Sequence, residues 1–376
     1  MGIFPEIYPG KGSPVACGSI TRAGRNKSMN EKKVAFIICV NDMRAYTECK
    51  YYLDHLRVPE GYETDVISIA EAPSMTAGYN AGMLSTDAGY KVYMHQDVLI
   101  VNPDFIRDML RVFAADERIA LMGMIGAGHI GNDAKQVMDW DTGKILHNCS
   151  PSRLEYRMEN TLCQEVEAVD GLLLATRCDV QWREDLFDGW DYYDISQCME
   201  FLRRGKKVVV PYQEEPWVWH DNLYSKMGRY YDYAELFADE YSDIRAFVNT
   251  PVPENVREYH DLKEKIRKEM FTLADCGKRS ELTTLFRDPV NRGYLHLKEF
   301  QIIADIEYLE NENNTQKRLW EKPDTAATLL EKVREAKFLL KRAEFGLETV
   351  SSVHEQLSRV YSPYAISVIQ DAYSFQ

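Results

Sequence analysis

The sequence predicts an α/β domain with a mostly parallel sheet, followed by an α-helical region. Three observations carry that expectation. Short apolar runs rich in β-branched residues recur, and such runs suit strands covered on both faces. They alternate with segments of helical spacing, which implies crossover connections between parallel strands. Beyond Asn249-Thr250-Pro251-Val252-Pro253 the pattern changes to heptad-like apolar spacing with abundant Glu, Lys and Arg, which reads as packed helices.

Val34 to Val40 (VAFIICV) is the first strand, and Arg44 to Leu56 the first helix, ended by Pro59-Glu60-Gly61. Asp65 to Ala70 is a second strand, Thr76 to Leu84 a short helix and Lys91 to Met94 a third strand. Pro103 to Ala115 reads as a helix capped by Asn102, with Pro103 at its first position. Ile119 to Ile125 is strand-like, and Asp139 to Lys144 reads as a hairpin tip. Glu165 to Ala175 is read as one strand, Tyr193 to Arg204 as a helix and Lys207 to Pro211 as a strand. Helices are expected over Glu254–Met270, Gly293–Asn313 and Thr325–Val360, forming an antiparallel bundle. The expected division is a flexible Gly-, Pro- and Ser-rich leader over 1–28, a catalytic-type domain over 29–250 and a helical domain over 251–376.

The formal net charge of -14 argues against a nonspecific nucleic-acid binder, which needs excess Lys and Arg to displace counterions. Eight cysteines are scattered without a CxxC pair. They read as reduced, buried thiols of a cytoplasmic protein and disfavour a structural zinc site. No apolar run approaches membrane-spanning length, and no signal-peptide core is evident.

Two stretches invite chemistry. Gly126-x-Gly128-x-x-Gly131 has the letters of a dinucleotide-binding turn, but it runs into Asn132-Asp133 rather than a long amphipathic helix. A turn or loop is therefore expected there. The second stretch, YKVYMHQDVLIV (Tyr90 to Val101), is an apolar run interrupted by His95, Gln96 and Asp97. A carboxylate at the end of a strand needs a partner. At the carboxyl edge of the sheet Asp97 would ligate a divalent cation, or it would cap the turn that follows.

Six segments in order, VAFIICVND, TAGYNAGM, His95-Gln96-Asp97, VDGLLLATR, FDGWDYYDISQCMEFLRRGKKVVVP and WVWHDN, resemble the family 2-like glycosyltransferases of the GT-A fold. The resemblance implies a nucleotide diphosphate sugar as donor, a glycan or other hydroxyl acceptor, and a divalent cation, Mn2+ or Mg2+. It assigns Val40, Asn41, Asp42, Glu71, Asn80, Gln96 and Asp97 to the donor side. Only the last aspartate of the family's Asp-x-Asp motif is present, with His95-Gln96-Asp97 in its place. The metal would be held by Asp97 and His220, although a lone histidine also fits a buried, hydrogen-bonded role. Asp194 takes the position of the catalytic base, where the helix N-terminus would keep it ionised, and Asp191 is its rival. Asp170, Gly171, Trp190 and Asp191 fall on the acceptor side. Lys226, Arg229 and Tyr230 would close over the leaving diphosphate or form an exposed basic loop. A catalytically silent binding or scaffold protein whose helices hold a partner is the alternative from another class, and the C-terminal helices offer an oligomer interface.

Overall fold

The apolar run at Val34–Val40 is buried throughout and forms the heart of the main sheet. The computed structural model describes residues 15–16, 29–136, 139–147, 152–156, 158–159, 161–222, 229–248, 251, 254–288, 291, 299–303, 305–306 and 326–374. In chain order its strands begin with β1 (Val15–Ala16), β2 (Asn30–Val40), β3 (Glu63–Ala70), β4 (Ala88–His95) and β5 (Val98–Ile100). Next come β6 (Ile119–Gly123), β7 (Ile125–Ala127), β8 (Thr142–His147), β9 (Ser152–Glu155) and β10 (Cys163–Val166). The last four are β11 (Ala168–Val169), β12 (Leu173–Thr176), β13 (Lys207–Pro211) and β14 (Val218–His220).

Eight strands form the main sheet in the order β1-β3-β2-β4-β12-β6-β13-β10. Four of its seven pairings are parallel, so the sheet is mixed: β12 inserts antiparallel between β4 and β6, and β10 closes one edge antiparallel to β13. The second sheet runs β11-β7-β8-β14-β5, with β9 on β8. An α/β fold of GT-A-like type with a helical C-terminal region results.

Register decides where chemistry can sit. Val40 lies opposite Ala70 of β3, and Cys39 opposite His95 of β4. The three parallel strands thus end together, and the residues that follow them share one edge, the place where open α/β sheets bind ligands. Helix α1 (Met43–Asp54) starts two residues past β2, capped by Asp42, whose carboxylate accepts from the backbone N–H of Arg44 and Ala45. Helix α2 (Met75–Ser85) is capped by Ser74 and follows β3.

Several local expectations shift. The run from Tyr90 to Val101 is two strands, with Gln96 and Asp97 as the turn where the chain leaves the main sheet for the second. Helix α3 is Phe105–Ala115 and starts after Pro103, because Asn102 bonds the N–H of Asp104 instead of capping a helix at Pro103. Thr142–Lys144 is already strand β8, paired with β7, so the expected hairpin tip is a strand start. The single strand expected over Glu165–Ala175 is broken into β10, β11 and β12.

Two compact units divide the chain. The first comprises Met1–Ile145, Glu155–Val218 and Gly228–Thr250, and the second Leu146–Leu154, Trp219–Met227 and Pro251–Gln376. The first also holds α4 (Tyr193–Arg203) and α5 (Tyr230–Glu240). The second holds α6 (Glu254–Asp275), α7 (Arg279–Arg287), α8 (Ala326–Glu344), α9 (Val350–Ser358) and α10 (Pro363–Tyr373). Its core gathers Ile302, Ile306, Leu329, Val333, Leu357 and Ile369, all nearly inaccessible to water. The helix expected over Gly293–Asn313 falls mostly outside the described residues. None of the six described cysteines is in a disulfide, but only Cys39, Cys49 and Cys198 are buried, Cys163 and Cys178 being half-buried and Cys276 exposed; Cys17 and Cys149 lie outside the described residues.

Candidate active site

At the edge where β2, β3 and β4 end, Gln96 reaches back to the turn after β2. Its side-chain oxygen accepts from the backbone N–H of both Asn41 and Asp42 at 2.9 Å, and its amide nitrogen donates to Asn41 Oδ1 at 2.5 Å. A carboxylate could accept those two bonds but not make the third, so an amide suits the middle of this motif. Glu71 follows β3 directly with φ 54°, a left-handed conformation uncommon for a residue with a side chain. Asn80, buried in α2, spends its amide on the backbone of Trp182: Nδ2 donates to Trp182 O at 3.0 Å and Oδ1 accepts from Trp182 N at 2.9 Å.

His95, Asp97 and His220 come together. One ligand atom from each lies within 4.8 Å of the others, a spacing that fits a single ion. Two imidazoles and one carboxylate form a donor set suited to a divalent transition ion. His95 Nδ1 stands 4.0 Å from Asp97 Oδ1, while its Nε2 meets Tyr193 Oη at 2.5 Å. If Nδ1 faced an ion, Nε2 would carry the ring proton and donate it to Tyr193, a bond that orients the ring.

Tyr193 opens α4, and Asp194 is its second residue. The helix is entered through Tyr192, whose φ is 63° and whose hydroxyl donates to Ala134 O at 2.6 Å. Asp194 accepts from Gly171 N at 2.7 Å through Oδ2 and from Ile195 N at 2.9 Å through Oδ1. Burial, then the charge of Asp170, pushes its carboxyl up to about 7, against the pull of those backbone donors. A helix N-terminus alone predicts an ionised carboxylate here. Its field is worth about 0.3–1 kcal/mol, less than one pKa unit, whereas burial moves a carboxyl by several.

Asp170 Oδ1 accepts from Leu172 N, which makes the turn that presents Gly171 N to Asp194. A Cβ on Gly171 would sit 2.1 Å from Tyr193 Oη, so only glycine lets the turn and the tyrosine share this space. Asp191, three residues before Asp194, is raised by burial to about 6, held down by the backbone N–H and charge of Arg229. Trp190 beside it is 48% exposed, a large ring turned to water. Arg229 pairs with Asp188 at 2.7 Å and lies over the Tyr233 ring, and Tyr230 Oη donates to Lys135 O. Lys226 lies outside the described residues.

The glycine loop after β7 uses its N–H groups internally. Gly128 N donates to Asp141 Oδ1 at 2.8 Å and Ile130 N to Glu167 Oε2 at 2.6 Å. Carboxylates of the chain occupy donors that a phosphate would need, in keeping with a loop rather than a dinucleotide turn.

The profile of the Glycosyltransferase like family matches residues 35–241, more than half of the 376 residues. The chain belongs to that family. The match takes in every residue of the edge, the ion group and the Asp170–Asp194 pair. Among solved structures this glycosyltransferase-like chain is similar to S. aureus TarS, at 10% identity and a TM-score of 0.35 over 80% of this chain and 55% of that one. TarS 1-349 is similar at 12% identity and 0.36, over 91% and 89% of the two chains. TarS 1-349 in complex with UDP is similar at 11% and 0.35, over 81% and 91%. The chain thus spans about half the length of the first of these structures. No curated protein matches it.

Two residues of this glycosyltransferase-like site, His95 and Tyr193, carry more of it than their sequence context assigns them. His95 stands where Asp-x-Asp has its first aspartate, and that spacing of two from Asp97 is the signal that it too can serve as a ligand. Tyr193 reads in sequence as one aromatic among several, and nothing there marks its hydroxyl as the link between His95 and the start of α4. Among the described residues no helix is long and apolar enough to cross a membrane.

Proposed function

We propose that the protein transfers a sugar from a nucleotide diphosphate donor to a hydroxyl acceptor, with inversion at the anomeric carbon. Asp194 carries this reading: a carboxyl raised to about 7 at a helix start, held by Gly171 N and Ile195 N, is matched to accepting a proton near neutral pH. The acceptor oxygen attacks the anomeric carbon, the bond from that carbon to the donor's phosphate oxygen breaks, and the hydroxyl proton passes to Asp194. The nucleotide diphosphate departs with the electron pair. Asp170 raises the basicity of Asp194 by its negative charge and shapes the loop on the acceptor side. The exposed ring of Trp190 offers a face for the acceptor sugar. On the donor side, the turn at Val40-Asn41-Asp42, fixed by Gln96, and Glu71 would meet the nucleoside. Asn80 would serve the donor by holding α2 in place.

His95, Asp97 and His220 would hold the divalent cation, Mn2+ or Mg2+. When bound, the ion supplies positive charge against the leaving diphosphate.

The test is release of nucleoside diphosphate from a panel of nucleotide diphosphate sugars, with manganese or magnesium and with water as default acceptor. Slow, Asp194-dependent release from one donor is expected. No release from any donor, together with no donor-induced rise in melting temperature, would sink the enzyme reading and favour a silent scaffold.

A further inference from the structure

Residues 187–192 of the first unit lead into α4. Phe187 and Tyr192 at the two ends of this stretch are buried, their rings stacked 6.5 Å apart, while Trp190 between them is 48% exposed. A slack loop would account for such a ring, but this loop is bonded on two sides. At the start of α2, Thr76 Oγ1 donates to Phe187 O at 2.6 Å and Met75 N to Gly189 O at 3.0 Å. Toward α5, a Cβ on Gly189 would sit 2.6 Å from Tyr233 Oη, so the chain passes as close as glycine allows.

The carboxylates on either side of Trp190 in the chain, Asp188 and Asp191, are both held by Arg229 at the head of α5. Its guanidinium donates to Asp188 Oδ1 at 2.7 Å, and its backbone N–H donates to Asp191. Tyr233 Oη donates to the same Asp188 oxygen, also at 2.7 Å, and Arg229 lies over the Tyr233 ring. The side chains of Arg229 and Asp188 are 54% and 65% exposed, and ion pairs so exposed add little to stability. What the clasp supplies is order: it fixes the chain on both sides of the ring, and a loop already held in its binding conformation has less freedom to lose when a ligand arrives. An indole face suits the apolar C–H face of a sugar. The surrounding charges narrow the choice. Asp188 stays ionised, since Tyr233 first and Arg229 second hold its carboxyl below the ordinary range. The guanidinium that would receive an anionic sugar is spent on Asp188. Carboxylates accept from hydroxyls and repel other carboxylates, phosphates and sulfates.

We propose that the acceptor is an uncharged sugar seated on Trp190, and that Asp188 is the positioning residue that, through Arg229 and Tyr233, keeps the ring presented to it. The inference rests on the transfer reading and adds the class of acceptor to it.

Release of nucleoside diphosphate by the full chain, measured in water and then with a panel of uncharged and acidic mono- and oligosaccharides, tests this. Uncharged members should raise release above the rate in water, and uronic acids, sugar phosphates and sulfated sugars should not. Trp190→Ala should raise the acceptor KM about tenfold, a difference of about 1.4 kcal/mol, with Trp190→Tyr recovering part of the loss. Asp188→Ala should raise the acceptor KM about fivefold, a difference of about 1 kcal/mol. Its donor KM and its release in water should stay within about twofold of wild type. Asp188→Asn, which can still accept from Tyr233, should recover part of the effect. If Asp188→Ala does not fold, Tyr233→Phe decides in its place, since it removes one bond to Asp188 and keeps the ring. Preference for acidic sugars, a chain that releases donor in water yet accepts no saccharide, or a wild-type acceptor KM in the folded variant overturns the proposal. So does an equal fall in release to water, which would make Asp188 a general support of the fold. Release from no donor, even in water, would instead remove the transfer reading beneath it.

Discussion

Adding one methyl group at residue 171 should damage the site out of proportion to its size. In Gly171→Ala the new Cβ would lie 2.1 Å from Tyr193 Oη, 2.5 Å from Cζ and 2.9 Å from Cε2. Ordinary contact begins near 3.4 Å, so the ring or the turn must move by about 1 Å. The ring has little room, since it packs within 6.2 Å of Trp182 and 6.0 Å of Tyr79 and is bonded to His95. The turn is held as well, by Gly171 N on Asp194 and Leu172 N on Asp170. Overpacking of this kind costs about 1–3 kcal/mol, and stretching a hydrogen bond to a charged carboxylate forfeits up to about 1.5–3 kcal/mol more. We expect a loss near 3 kcal/mol, a fall in melting temperature of roughly 6–12 °C for a unit of this size. Calorimetric melting gives that number, and turnover at a temperature where the variant is still folded should fall as well, because Asp194 and His95 are both disturbed. A variant within about 0.5 kcal/mol of wild type and fully active would show that this close approach does not constrain the site.

Asp194→Asn should bind donor almost normally and lose transfer by several orders of magnitude in single turnover, whereas Asp191→Asn should keep most of it; the reverse result would move the base to Asp191. With donor saturating, the wild-type rate should climb as pH rises through about 7, because the base works only once Asp194 has lost its proton. In Asp170→Asn the midpoint of that pH profile should move lower, since a neighbouring negative charge that disfavours ionisation has gone; a midpoint that stays put or rises contradicts the assigned coupling. Gln96→Ala should raise KM for the donor more than it lowers kcat, as the N–H groups of Asn41 and Asp42 lose their shared acceptor, and a selective fall in kcat would argue that Gln96 acts in the chemical step instead.

What could be read in advance followed local rules. Val34–Val40 announced itself as a strand covered on both faces, and its neighbours in the sheet came from the same kind of run. The order of six segments led to Asp97, His220 and Asp194, and the structure brings the first two together with His95. The break between β4 and β5 was hidden because the apolar pattern continues across it, and only Gln96 and Asp97 interrupt it. The strand over Glu165–Ala175 was overextended for the same reason: Asp170 and Gly171 look like a polar pause, yet they are a turn built for bonding Asp194 and Leu172. Asp194 was expected to be ionised because a helix start is visible in sequence, while the burial that outweighs it is a property of the whole fold. The pairing of Asp221 with Lys337 lies beyond any such reading, since two opposite charges 116 positions apart leave no periodic trace.

That separation also sets a timetable for the nascent chain. At about 5–20 residues per second, synthesis reaches Lys337 roughly 6–23 s after Asp221 has been made. During that wait the strand end after β14 has neither the cation that neutralises Asp221 nor the helix that covers Trp219. Most of the first unit's sequence is complete by then, so its strands can pair before the core of the second unit has been made. A translation pause or a premature stop between these two points would therefore yield a chain whose first unit can form while the core of the second is still incomplete.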